Sequence, residues 1–190
     1  MRTPTRPRAT IIHGYCATPE DHWFPWLAAR LDEHGVPTAI PALPDTDHPD
    51  PDRWTTAAGA AIGTPDADTT VVAHSLGCLT VLRHLSTLRG DWRLGTLVLV
   101  SGFVDPLPAI PELDAYIADG CDPTPLAARI DHLTILRSDA DPLVPTSHTD
   151  HLATLLGTTA QVIPGAGHFM ADEGITTLPE ALSACRPGRA

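Results

Sequence analysis

Short apolar runs of strand length recur along the chain, at residues 9–13, 38–41, 69–74, 96–100, 133–137 and 160–163. They do not alternate polar with apolar, which is the pattern of strands covered on both faces in a parallel sheet. Helical stretches lie between them. Thr18-Pro19-Glu20-Asp21 reads as an N-cap with proline at the first helical position, leading into 22–34 and stopping at Gly35. Asp50-Pro51-Asp52 opens a second helix to about Ile62, ended by Gly63. Residues 75–88, 147–156 and 178–185 supply three more. Strand followed by helix, repeated, predicts an α/β fold with right-handed crossovers.

Residues 101–130 break the rhythm. Pro106, Pro108, Pro111, Pro123 and Pro125 leave only a short helix near 112–118. A segment that leaves one strand and returns before the next is positioned to act as a small lid over the carboxyl edge of the sheet.

The junction of the third run with its helix carries the strongest chemical signal. In Ala73-His74-Ser75-Leu76-Gly77 a β-branched strand passes straight into a helix with serine at the turn, the context of a nucleophile elbow. Small residues two before and two after relieve crowding at such a turn. Gly77 meets the pattern, and Ala73 stands where glycine is usual. A serine that merely caps its helix is the bland reading of these five residues.

A serine hydroxyl needs a base, and the base needs an orienting acid. His168 lies in the Gly-flanked loop after the sixth run, and Asp139 and Asp141 in the loop after the fifth. All three loops open on the carboxyl edge, where open parallel sheets bind ligands. Asp141 is favoured as the acid because Pro142 holds its backbone extended, with Asp139 supporting the turn. The order Ser75, Asp141, His168 is that of α/β-hydrolases. Oxyanion donors are expected from the backbone N–H of Leu76 and of Tyr15, with Gly14 allowing close approach. His13 is read as ordering that loop, and His74 as packing or substrate-facing.

Other features point away from chemistry. His148-x-x-His151 with Asp150 lacks a third ligand at suitable spacing, so no metal is expected. The acidic stretch 45–52 lacks the glycine and terminal glutamate of a calcium loop. Trp23, Phe24 and Trp26 read as anchors of the first helix. One glycine after the first strand does not make a phosphate-cradling loop.

The formal charge is −11, lysine is absent and all 12 basic residues are scattered arginines, which argues against a nucleic-acid partner. No apolar stretch approaches the ~20 residues of a membrane span. The basic residues of 1–8 precede only a four-residue apolar run, too short for a secretory signal. Cys16, Cys78, Cys121 and Cys185 show no paired spacing and are read as free thiols of a cytoplasmic protein.

Together His13-Gly14-Tyr15, the segment 22–27, Ala73-His74-Ser75-Leu76-Gly77, Val100-Ser101-Gly102-Phe103, the segment 138–145 and Gly167-His168-Phe169 resemble one known group. It comprises the small serine hydrolases of the α/β-hydrolase superfamily, in the YdeN-like and retinoblastoma-binding-protein-like branch. The resemblance spans about residues 9 to 184. It implies a compact α/β-hydrolase without the usual initial antiparallel strands, with triad positions matching Ser75, Asp141 and His168.

The expected protein is one domain, 1–190, with about six mostly parallel strands in the order 2-1-3-4-5-6 flanked by helices. The site falls where the winding reverses, between the first and third strands. The expected reaction is cofactor-free hydrolysis of small carboxylic esters through an acyl-enzyme, the partner being a small acyl ester. Cys16, Phe103, Leu107, Phe169 and Met170 are expected to line the pocket, and the short lid favours short acyl chains. Thioesterase or peptidase chemistry at the same triad, or a non-catalytic scaffold on the same fold, are the alternatives.

Overall fold

The computed structural model describes residues 6–185; residues 1–5 of the basic N-terminal stretch and 186–190 lie outside it. Its strands are β1 (Arg8–Ile12), β2 (Thr38–Ala39), β3 (Thr69–His74), β4 (Leu94–Val100), β5 (Ile130–Ser138) and β6 (Gln161–Ile163). Helices α1 (Phe24–Glu33), α2 (Pro51–Ile62), α3 (Leu76–Thr87), α4 (Asp114–Ile117), α5 (Thr146–Leu155) and α6 (Pro179–Ala184) fill the connections. The six strands form one sheet in the order β2-β1-β3-β4-β5-β6, every pairing parallel.

Apolar strands without alternation arise because each face of the sheet meets its own layer of helices. Ile12, Val71, Ala73, Leu97, Leu99 and Ile135 face a core with Trp54 of α2, Leu79 and Leu82 of α3, and Leu152 of α5. Their neighbours Ile11, Val72, Val98, Val100 and Leu136 face the opposite core with Phe24, Leu27 and Leu31 of α1 and Ala181 of α6. Trp23 and Phe24 are wholly buried, as the anchoring of the first helix requires.

Two local expectations are corrected. Helix α1 does not start at Thr18. Asp21 accepts hydrogen bonds from the N–H and Oγ1 of Thr18 to close a turn, and His22 has φ 56°, so the helix begins only at Phe24 with Pro25 in its first turn. Asp50, by contrast, does cap α2, accepting from the Arg53 N–H at 2.8 Å.

The second correction concerns 101–130, which is a packed segment rather than a free flap. Phe103, Leu107, Leu113, Tyr116, Ile117 and Leu126 are buried in the core on the α2–α3 side. The Arg83 guanidinium donates to the carbonyls of Tyr116, Ile117 and Gly120, and the Thr80 and Tyr116 hydroxyls bond at 2.7 Å. From α5, Thr149 donates to the Gly102 carbonyl, and His151 pairs with Asp105.

Candidate active site

The turn from β3 into α3 is tight enough to force Ser75 into φ 53°, ψ −124°. A non-glycine residue there carries strain that costs about 1–3 kcal/mol, and surrounding structure must hold it. The Ser75 N–H donates to the Val100 carbonyl at 2.9 Å, tying the turn to the end of β4. The small neighbours have separate reasons. A Cβ on Gly77 would lie 2.5 Å from the His13 carbonyl oxygen and 2.6 Å from that of Ile12, so the first turn of α3 rests directly on the end of β1. Ala73 pairs with Ile12 and Leu99 and its methyl joins the α3-side core, which is how alanine is accommodated at the other small position.

Ser75, His168 and Asp141, remote along the chain, meet at the carboxyl edge. Ser75 Oγ lies 2.9 Å from His168 Nε2. His168 Nδ1 lies 2.8 and 3.0 Å from the two Asp141 oxygens. An ionised carboxylate only accepts, so Nδ1 carries the ring proton and Nε2 is left as the acceptor facing the serine. The His168 and Asp141 side chains are only 4% and 3% exposed.

Asp141 is well provided with donors. Its Oδ1 accepts from the N–H groups of Leu143 and Val144, both at 2.9 Å, and its Oδ2 from Ser101 Oγ at 2.8 Å. Burial alone would raise this carboxyl, but the His168 bond and charge together with the two backbone N–H groups outweigh it and hold it below the ordinary value. Asp139 takes the supporting role, accepting from the Gly165 N–H at 2.7 Å and so linking the loops after β5 and β6.

Side chains also grip the backbone of His168. Glu173 Oε2 accepts from the His168 N–H at 2.7 Å and from the Met170 N–H at 3.1 Å. A Cβ on Gly167 would fall 2.2 Å from that glutamate, which accounts for the glycine before the histidine. On the other side His74 Nε2 lies 2.8 Å from the His168 carbonyl, so Nε2 donates to it. Its Nδ1 is buried without a partner among the described residues. Burial first, then the neighbouring His168, drives the His74 imidazole well below its ordinary value.

Ser101 and Glu173 were not among the sequence candidates. Ser101 is wholly buried with φ 48°, its N–H donating to the Leu136 carbonyl. Nothing in its own sequence neighbourhood announces a bond to a residue 40 positions away.

The loop after β1 is equally close to Ser75. A Cβ on Gly14 would lie 3.0 Å from Ser75 Cβ and 3.1 Å from the His74 carbonyl oxygen. His13 orders that loop, with Nδ1 3.0 Å from the Gly14 carbonyl and Nε2 accepting from the Leu43 N–H at 3.1 Å. The expected pocket lining is partly corrected. Phe103 and Leu107 are buried in the α2–α3-side core and Phe169 in the α1-side core, because the segments carrying them fold inward. Cys16 is exposed and Met170 half-buried. Among the described residues no group of three or more His, Cys, Asp or Glu is arranged to hold a metal, and no helix is long and apolar enough to cross a membrane.

Comparison with known proteins gives this geometry a lineage. The family model for serine hydrolases matches residues 9–186. The chain belongs to the serine hydrolase family. This serine hydrolase is 37% identical over 169 residues to YdeN of Bacillus subtilis (strain 168), a protein named as a hydrolase, covering 89% of each chain. The crystal structure of the ydeN gene product from B. subtilis superposes with a TM-score of 0.88 at 35% identity, covering 93% of this chain and 95% of that one. Est1E from Butyrivibrio proteoclasticus with ferulic acid bound shares the fold at 16% identity, with a TM-score of 0.71 over 95% of this chain and 86% of its own.

Proposed function

We propose that this serine hydrolase cleaves small carboxylic esters in two acyl-transfer steps at Ser75. The observation that carries the reading is the unbroken relay Ser75 Oγ, His168 Nε2, His168 Nδ1, Asp141, with bonds of 2.8–3.0 Å. His168 Nε2 takes the serine proton as Oγ bonds to the ester carbonyl carbon. The imidazolium then gives that proton to the departing alcohol as the tetrahedral intermediate collapses to acyl-enzyme. Water, deprotonated by the same nitrogen, attacks the acyl carbon, and the serine oxygen leaves with the proton while the acid is released. Asp141 orients the ring and stabilises its cationic form without taking the proton.

The N–H groups of Leu76 and Tyr15 are the oxyanion donors in this scheme. Support comes from the Gly14 contact with Ser75 and from the start of α3 at Leu76, since the first N–H groups of a helix have no intrahelical acceptor. Loss of one such donor typically costs ~10²–10³ in rate. We assign the enzyme to the cytoplasm, supported by four cysteines that are all free thiols. Short acyl groups are the expected substrates, a reading supported by the packing of the 101–130 segment into the core instead of into an extended cover.

The test is labelling and turnover together. A fluorophosphonate is expected to modify Ser75, and short p-nitrophenyl esters to be hydrolysed. Ser75→Ala is expected to abolish both while leaving the circular dichroism spectrum unchanged. Undiminished turnover by that variant would falsify the assignment. A scaffold on this fold would take up no label.

A further inference from the structure

A cleft of about 320 Å³ is walled by three segments that follow strands of the sheet. Tyr15 comes from the loop after β1, Asp47 and His48 from the loop after β2, and Glu112, Leu113 and Tyr116 from the segment after β4. Tyr15 adjoins Gly14, the residue packed against Ser75, so one wall of the cleft is continuous in sequence with the residue that touches the serine. Its floor is apolar: Leu113 and Tyr116 are 2% and 3% exposed.

Its rim is acidic. Asp47 and Glu112 both stand in solvent, and among the described residues Glu112 has no ion pair. No arginine lines the cleft, and the chain has no lysine. Arg83, which stacks on Tyr116, spends its guanidinium on the carbonyls of 116, 117 and 120. His48 is the rim's one base; it lies 3.3 Å from Asp47 and carries charge only when protonated. The Tyr15 phenol senses this field. Its bond to Cys16 and partial burial raise it above the ordinary value, and the Glu112 and Asp47 charges raise it further. A cleft edged by one sign of charge over low-dielectric walls concentrates the opposite charge.

We infer that the substrate arm seated in this cleft carries a protonated amine, so that the preferred substrates are short esters with an ammonium group beyond the scissile carbonyl. The inference rests on the ester-hydrolase reading and extends it to a substrate class. Esters ending in a carboxylate, and polyphosphorylated acyl thioesters, are turned away by the same field.

The experiment uses three methyl esters of matched acyl length ending in ammonium, methyl or carboxylate, with a parallel alcohol-arm pair, a trimethylammonioethyl ester and its uncharged 3,3-dimethylbutyl isostere. The same end groups on an alkyl fluorophosphonate give Ser75 labelling rates, which need no turnover. The expected order of kcat/KM and of labelling is ammonium, then methyl, then carboxylate. The extremes are expected to differ about tenfold at low salt, from one attraction and one repulsion each worth a few-fold. The ratio is expected to shrink at about 0.5 M salt and to fall towards unity in the double variant Asp47→Asn, Glu112→Gln.

Equal rates for the ammonium ester and its uncharged counterpart on both arms, or a ratio that survives the double variant, overturns the inference while leaving the hydrolase reading intact. Absence of labelling by any fluorophosphonate, with no ester cleaved, overturns the hydrolase reading and this inference with it.

Discussion

The relay and the cleft are built on opposite plans, although Tyr15 of the cleft follows Gly14, which packs on Ser75. At the relay every reacting group is buried and each is held by others: Asp141 by four donors, the His168 peptide groups by Glu173 and His74, and the Ser75 turn by Val100. At the rim of the cleft Asp47 and His48 stand in solvent on a loop, and Glu112 on a single 3-10 turn. Chemistry of this kind needs groups fixed to within a fraction of an ångström, which a buried and fully bonded setting provides. Selection among substrates requires only a field and a shape, and exposed loops provide those at little cost to stability. Substitutions in the two regions should therefore differ sharply in effect.

The sharpest contrast comes from Asp141→Asn. It is expected to lower kcat about 10⁴-fold, as loss of a buried orienting acid does elsewhere, because the amide favours the wrong imidazole tautomer. Steady-state kinetics with a p-nitrophenyl ester measures it. A loss of only a few-fold would mean that the acid is no more critical than a rim residue.

Glu173→Ala comes next. With the His168 N–H released, kcat is expected to fall about 10- to 100-fold with KM little changed, since a shift near 1 Å suffices for that. Glu173→Gln, which keeps an acceptor, should recover most of the rate. If both variants behave alike, the carboxylate is not holding the base loop.

Gly77→Ala tests the contact between α3 and β1. The added methyl meets two backbone oxygens that cannot rotate away, so destabilisation of about 1–3 kcal/mol is expected from the denaturation midpoint. The reverse change at the other small position, Ala73→Gly, removes a buried methyl from the core and should be destabilising through a cavity instead.

The buried histidines make stability depend on pH. Folded His74 is neutral with its pKa pushed well below 6.5, and His13, His22 and His84 are lowered too, in each case first by burial. Between the folded and unfolded pKa values the unfolded chain holds more protons, so stability rises with pH there and is lost as pH falls below 6.5. Denaturant titrations at pH 7.5 and 5.5 should show the drop, and His74→Gln should reduce it. Asp141 contributes in the same direction at lower pH, its lowered carboxyl losing its share only as it protonates. At the smallest end of the scale, Cys16→Ser on the exposed loop should change kcat by no more than about twofold.

How much of this was legible beforehand varied with the range of the interaction. The alternation of strand and helix, the caps at Asp50 and Gly63, and the serine at a strand-to-helix junction are local patterns, and their elements formed where expected. The start of α1 departs from its sequence pattern because the Thr18 to Asp21 turn uses the same residues that cap a helix. Phe103, Leu107 and Phe169 look like pocket residues when only their loops are considered, yet the loops fold inward and the rings complete two cores.

The order and spacing of Ser75, Asp141 and His168 were sufficient to name the three groups that converge, because parallel strands deliver the loops that follow them to one edge. Only the folded chain decided what holds those groups and what surrounds them. Ser101 reaches Asp141 across 40 residues, His74 reaches the His168 carbonyl across 94, and Asp47 faces the same cleft as Glu112. Such bonds depend on side-chain direction and inter-strand register, which long-range packing sets. That is why the residues that converge could be read along the chain and their supporting contacts could not.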